Sequence, residues 1–113
     1  MGLFADLKAI PPAEKTVDLG GGRKVVVIGL SRTDKCDMVA SCTSKKTGRC
    51  DNQLLESKYL ARCVCDPETR EPIQPDCREW NLASHVAAPL VSACVEVNGL
   101  DEEEAEALLK KSD

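Results

Sequence analysis

The chain is poor in aromatic side chains, with one Phe, one Tyr and one Trp among 113 residues. Few rings leave little for stacking on bases or sugars, and the core must be built from Leu, Val, Ala and Cys, which favours thin helical packing. Histidine is almost absent too: His85 stands alone, which removes the commonest general base and metal ligand from most combinations. No stretch approaches the roughly 20 apolar residues needed to cross a bilayer. The segment Met1 to Ile10 carries Asp6 and Lys8, so it lacks the uninterrupted apolar region of a secretory signal. Met1-Gly2 begins like a myristoylation site, but Asp6 stands where that motif wants Ser or Thr. A basic stripe is missing as well. The net charge is −4, with Lys and Arg scattered among acids, which argues against nucleic acid as the main ligand. The expectation is a chain retained in the cytosol, with no membrane and no nucleic-acid partner.

What is abundant is cysteine: Cys36, Cys42, Cys50, Cys63, Cys65, Cys77 and Cys94. In a chain that is not exported these remain reduced thiols, and seven is an odd number for a complete disulfide framework. Structural zinc asks for two short Cys-x-x-Cys knuckles or a Cys pair matched by a His pair. The intervals between successive cysteines are 5, 7, 12, 1, 11 and 16 residues, and only Cys63-x-Cys65 is close-spaced. The pattern suits small buried hydrophobes, the common fate of a free Cys. No metal ligand set and no cofactor is expected. A Cys-based metal-binding module around Cys63 and Cys65 stays as an alternative.

At this length the chain supports one domain. Apolar residues at 42% and charged residues at 30% give an ordinary globular balance rather than a disordered one. Residues 1–15 read as a lead, ending in Pro11-Pro12, which enforces an extended connection. Residues 16–30 read as a β-hairpin: Thr16 to Leu19 and Lys24 to Leu30 flank Gly20-Gly21-Gly22, and glycine reaches the positive φ of a tight turn at no steric cost. A phosphate loop would have a helix after the glycines, and here a strand follows.

Residues 31–98 read as a helical core. Ser31 with Asp34 starts a helix expected to run to about Lys46, where Lys45-Lys46-Thr47-Gly48 supplies cations and a glycine stop. Asp51 caps a second helix, in which Leu55, Tyr59 and Cys63 recur every four residues and the apolar face widens through Leu60, Ala61, Val64 and Cys65. Asp66 to Pro72 forms a polar turn. Ser84 caps a third helix with Val86, Leu90, Ala93, Cys94 and Val97 on one face. Pro89 inside it predicts a kink or a later start, and Asn98-Gly99 ends it. Residues 99–113 form a last helix, with Asp101 and Glu104 at its start and Lys110-Lys111 at its end. The fold class is α+β: an N-terminal β-hairpin followed by a small bundle of about four helices.

Nothing convenes a catalytic constellation. A nucleophile needs a base and a group to orient it, whereas His85 lies between a Ser cap and Val86 to Ala88. Carboxylates such as Glu102 and Glu106 share a solvated helix face, an ordinary arrangement of surface charge. No residue is assigned as catalytic, and the chain is expected not to be an enzyme.

Three segments in a fixed order then carry a resemblance. They are Val17-Asp18-Leu19-Gly-Gly-Gly-Arg23-Lys24-Val25-Val26-Val27 leading to Leu30-Ser31-Arg32-Thr33-Asp34; Leu60-Ala61-Arg62-Cys63-Val64-Cys65-Asp66 with Glu71-Pro72-Ile73; and Ala88-Pro89-Leu90 with Cys94-Val95-Glu96-Val97-Asn98-Gly99-Leu100. Over residues 16–109 the chain resembles the small tail assembly chaperones of long-tailed phages and prophages. Cysteine richness departs from the family, with Cys where it would place Ala, Leu or Val.

The resemblance implies a non-enzymatic phage tail assembly chaperone in the host bacterial cytoplasm, leaving before the virion matures. Its partner would be the tape measure protein, with the tail tube protein and a frameshifted longer form of the chain itself as further candidates. Leu100, Leu108 and Leu109 are the candidate contact positions, through shallow apolar contacts that release easily. The other reading of those leucines is that they dock on the domain's own core. A persistent virion component of the tail or head-completion class is the rival reading within phage biology.

Overall fold

The computed structural model describes residues 2–100. Within them the order is α1 (Leu3–Ala9), β1 (Glu14–Gly20), β2 (Arg23–Ile28), α2 (Arg32–Ser41), α3 (Asn52–Cys63), β3 (Val64–Cys65) and α4 (Ser84–Asn98), with a 3-10 turn at Cys77–Glu79. This is the expected α+β arrangement of an early hairpin followed by helices. The expected last helix after Gly99 lies outside the described residues.

The hairpin closes as its glycines dictate. Gly21 and Gly22 have φ of +62° and +79°, the two-residue turn with both central residues left-handed that suits the strand twist. Asp18 pairs with Lys24 and Gly20 with Arg23, so Leu19 is an extra residue, a bulge held by the Asp18 carboxylate, which accepts from the Gly20 N–H at 2.8 Å. β2 is the central strand. Its other edge carries β3 in antiparallel register, Val26 opposite Cys65 and Val27 opposite Val64.

β3 corrects the expectation that the helix apolar run continued through Val64 and Cys65. α3 stops at Cys63, and the chain turns extended so that the next two residues add to the sheet edge. The Ile73 N–H then donates to the Val64 carbonyl at 3.1 Å. The intervening turn is organised by Asp66, whose Oδ1 accepts from the N–H groups of Glu68 and Thr69.

α2 is also shorter than its stop signals suggested. Ser31 Oγ caps it by accepting from the Asp34 N–H at 3.1 Å, as expected, but the helix ends at Ser41. Ser41 and Thr43 turn their hydroxyls onto the carbonyls of Met38 and Val39, competing with the backbone ladder. Thr43 and Cys50 then form a bridge, and Lys45 to Gly48 form the tip of that small loop rather than a helix end.

α3 and α4 are amphipathic in the way their spacing predicts. α3 is capped by the Asp51 carboxylate on the Leu54 N–H and buries Leu55, Tyr59, Leu60, Ala61 and Cys63. α4 buries Leu90, Val91, Ala93, Cys94 and Val97 among others. It runs from Ser84 with Pro89 inside, so the proline does not delay its start, and Ser84 is its first helical residue rather than its side-chain cap. The α3 and α4 apolar faces meet over Val17, Val25 and Val27 of the hairpin in one core, which Trp80 closes from the loop. The Trp80 indole N–H donates to the Gln74 carbonyl at 2.7 Å.

Candidate functional site

Of the expected contact positions, Leu100 is half-buried and packed against the core cluster, and its N–H donates to the Val95 carbonyl at 3.3 Å. Leu108 and Leu109 lie outside the described residues. The structure instead places an apolar surface at the other end of the chain. α1 buries none of its residues. Leu3, Phe4, Leu7 and Ile10 are 76%, 72%, 57% and 65% exposed, and their spacing of one, four and seven residues puts them on one side of a helical turn. Pro11 and Pro12 separate this helix from β1. Lone exposed apolar residues are normal on a protein surface, but three on one short helix with Ile10 at its C-cap form a patch. The sequence carries the signal in that spacing. Its brevity and the proline pair made it read as a lead.

The thiols divide by environment. Cys36 is exposed, Cys50 and Cys77 are half-buried, and Cys42, Cys63, Cys65 and Cys94 are buried; none is in a disulfide. Burial pushes the Cys42 and Cys65 thiols above their ordinary value. Cys65 is turned onto backbone, its sulfur 3.4 Å from the Cys63 carbonyl oxygen. Cys63 and Cys94 differ from the rest. Both are fully buried in the common core, and they come from the facing helices α3 and α4. The Asn98 amide also donates to the Cys63 sulfur at 3.7 Å. The Cys94 thiol, aided by Asn98, holds the Cys63 thiol below its ordinary value against its burial. The Cys63 thiol, with burial, drives Cys94 far upward. Among the described residues, no three or more His, Cys, Asp or Glu side chains gather in a way that could hold a metal ion.

Asn98 is the residue whose role the sequence did not disclose. It is the one buried polar side chain of the described residues, and its polar atoms are all engaged. Oδ1 accepts from the Leu30 N–H at 2.8 Å, and Nδ2 donates to the Cys94 carbonyl at 2.8 Å as well as to Cys63. Lys35 Nζ meets the Asn98 carbonyl at 3.0 Å. One side chain thus ties the end of α4 to the exit of β2 and to the end of α3.

His85 lies exposed at the start of α4. The carboxylates of Glu14, Asp34, Asp76 and Glu96 are held in exposed ion pairs with Arg70, Arg62, Arg78 and Lys15. No described helix is long and apolar enough to cross a membrane. Comparison with protein-family models, with curated proteins and with solved structures finds no match to the chain.

Proposed function

We propose that the chain is a non-enzymatic phage tail assembly chaperone, which holds the tape measure protein in the host cytoplasm while tail tube subunits polymerise around it. The observation that carries this reading is the exposed apolar face of α1, Leu3, Phe4, Leu7 and Ile10, set apart from the folded body by Pro11-Pro12. The hairpin-then-helices order over the segments that carry the family resemblance supports it. A chaperone for a long helical client needs contacts that are apolar, shallow and repeated, so that many copies bind and then release. A small helix face with no packing role of its own meets that requirement. Leu108 and Leu109 remain candidate contacts toward the other end of the chain, and Leu100 packs against the core.

The test is co-expression of the full chain with a tape measure fragment from the same genome. The chain is expected to co-purify with the fragment. The double variant Phe4→Asp, Leu7→Asp should bind at least about tenfold more weakly, a loss of about 1.4 kcal/mol, with an unchanged thermal transition. Failure of the unaltered chain to bind overturns the function. Full binding by the double variant overturns the α1 face, and Leu108→Asp then decides whether the C-terminal leucines carry the contact. Abundant copies of the chain in purified virions would favour a structural tail or head-completion protein instead.

A further inference from the structure

We propose that Asn98-Gly99 is a deamidation site that the folded junction keeps shut and that unfolding opens, so that a chain left unfolded is altered and returns to a less stable fold. The chemistry begins in the sequence. A backbone nitrogen can attack the side-chain amide of the asparagine before it, and a Cβ on the attacking residue stands in the way. The chain has three asparagines, Asn52, Asn81 and Asn98, followed by Gln53, Leu82 and Gly99. Of these three followers only Gly99 lacks the Cβ, and glycine reaches unusual backbone angles most easily.

The fold withholds both reacting groups. Asn98 is 9% exposed. Its Oδ1 accepts from the Leu30 N–H at 2.8 Å, and its Nδ2 donates to the Cys94 carbonyl, also at 2.8 Å. The second bond turns the amide back along α4, away from the residue that follows it. Gly99, at φ +58°, gives its own N–H to the carbonyls of Glu96 and Val95. The attacking nitrogen therefore keeps its proton, and the carbon it would reach is clamped. Asn52 and Asn81 are exposed. The fold thus shields the site that is most reactive by sequence and leaves the two slower ones open.

The reaction needs only water. Once the end of α4 opens, the Gly99 nitrogen loses its proton to solvent and bonds to the Asn98 Cγ. The Cγ–Nδ2 bond breaks, and that nitrogen takes a proton from solvent and leaves as ammonia, closing a cyclic imide. Water then opens the ring. Cleavage of the new Cγ–N bond gives aspartate at 98; cleavage of the original peptide bond gives isoaspartate, with the backbone routed through Cβ and Cγ. One amide and one water become one carboxylic acid and one ammonia, with no change of oxidation state. Neither product rebuilds the junction. A carboxylate has no N–H for the Cys94 carbonyl and brings a charge into a buried position. Lys35 Nζ, 3.0 Å from the Asn98 backbone carbonyl, softens that charge; isoaspartate moves the carbonyl itself, and the Gly99 cap with it.

The experiment incubates the full chain at neutral pH in native buffer, across a urea series and in guanidinium. Peptide mapping by mass spectrometry follows each asparagine and separates aspartate from isoaspartate. In guanidinium, Asn98 should convert first of the three; a lead by Asn52 or Asn81 overturns the assignment. In native buffer Asn98 should convert at least about 100-fold more slowly than in guanidinium, and its rate should climb with the unfolded fraction through the urea transition. A smaller difference, or a rate indifferent to urea, overturns the protection. Gly99→Ala in guanidinium should slow the conversion at least about tenfold; an unchanged rate overturns the route through the Gly99 nitrogen. Aged chains returned to native buffer then meet a brief protease pulse at graded urea. Chains modified at 98 should be cleaved at lower urea than unmodified chains in the same tube, with an unfolded fraction at least about tenfold larger. Equal resistance overturns the consequence for folding.

Discussion

The Asn98 side chain accepts the backbone N–H of Leu30 at 2.8 Å across 68 positions of sequence, joining the last residue of α4 to the chain leaving β2. Leu30 follows the last strand residue by two positions and has no ladder partner for its N–H, so the amide supplies one that the sheet does not. Removing a partner from a part-buried donor costs more than one average hydrogen bond, because the donor loses water as well. Asn98→Ala is expected to lower unfolding stability by about 2–4 kcal/mol. Urea denaturation with an unchanged m-value checks this; a loss below about 0.5 kcal/mol would show that the Leu30 N–H is readily rehydrated.

Beside that bond the backbones touch. A Cβ placed on Gly29 would lie 2.5 Å from the Val97 carbonyl oxygen and 3.2 Å from its carbon. Both obstacles are backbone atoms of a helix end that Asn98 holds in place, so neither can move aside alone. Gly29→Ala should therefore cost about 2–4 kcal/mol, from overpacking rather than from backbone strain. Its unfolding midpoint should fall with Asn98→Ala less than additively, since both changes loosen the same junction.

Pro89 is exposed inside α4. Its ring nitrogen carries no proton, so the His85 carbonyl goes without the bond a residue four positions on would supply. Pro89→Ala returns that donor at a site with no packing to disturb. Part of the gain is offset because proline also stiffens the unfolded chain. A net stabilisation of about 1–2 kcal/mol is expected, read as a higher thermal midpoint; a lower midpoint would mean that the proline shapes the helix to the core.

The carboxylate of Asp76 caps the 3-10 turn and meets the Arg78 guanidinium at 3.0 Å. The Arg78 side chain, with the Arg78 backbone N–H, holds its carboxyl below the ordinary aspartate value. A depressed folded value means that the contribution is present above the unfolded pKa and is lost as pH falls through the folded one. Carbon-detected NMR titration should place the Asp76 midpoint below the ordinary aspartate value. Arg78→Gln should move it upward; no movement would show that the backbone N–H alone sets the value.

The parts of the fold that were legible in the sequence are those governed by local chemistry. Three glycines between β-branched runs specify the hairpin, Asp51 and Ser31 announce two helix starts, and Leu55, Tyr59 and Cys63 announce a buried face. The misread parts depend on partners distant in sequence. Val64 and Cys65 extend the α3 apolar pattern without a break, and only β2 alongside makes them a strand. The end of α2 depends on where Ser41 and Thr43 send their hydroxyls. Asn98 reads as half of a helix stop, and its buried bonds to Leu30 and Cys63 require the tertiary fold. That Cys63 and Cys94 share one core is hidden for the same reason, since cysteine spacing carries no information about which helix faces meet. The α1 face was visible as a pattern, but nothing local says whether four apolar residues will be covered.

That α1 buries none of its residues has a bearing on how such a chain can change over generations. Substitutions in Leu3, Phe4, Leu7 and Ile10 do not draw on the core's stability, so the surface offered to a partner and the fold that presents it are under separate selection. A core residue such as Leu60 or Leu90 has no such freedom, because a change there threatens folding whatever it does for binding. The chain can follow a diverging client by altering one short helix, while the rest of the molecule stands still.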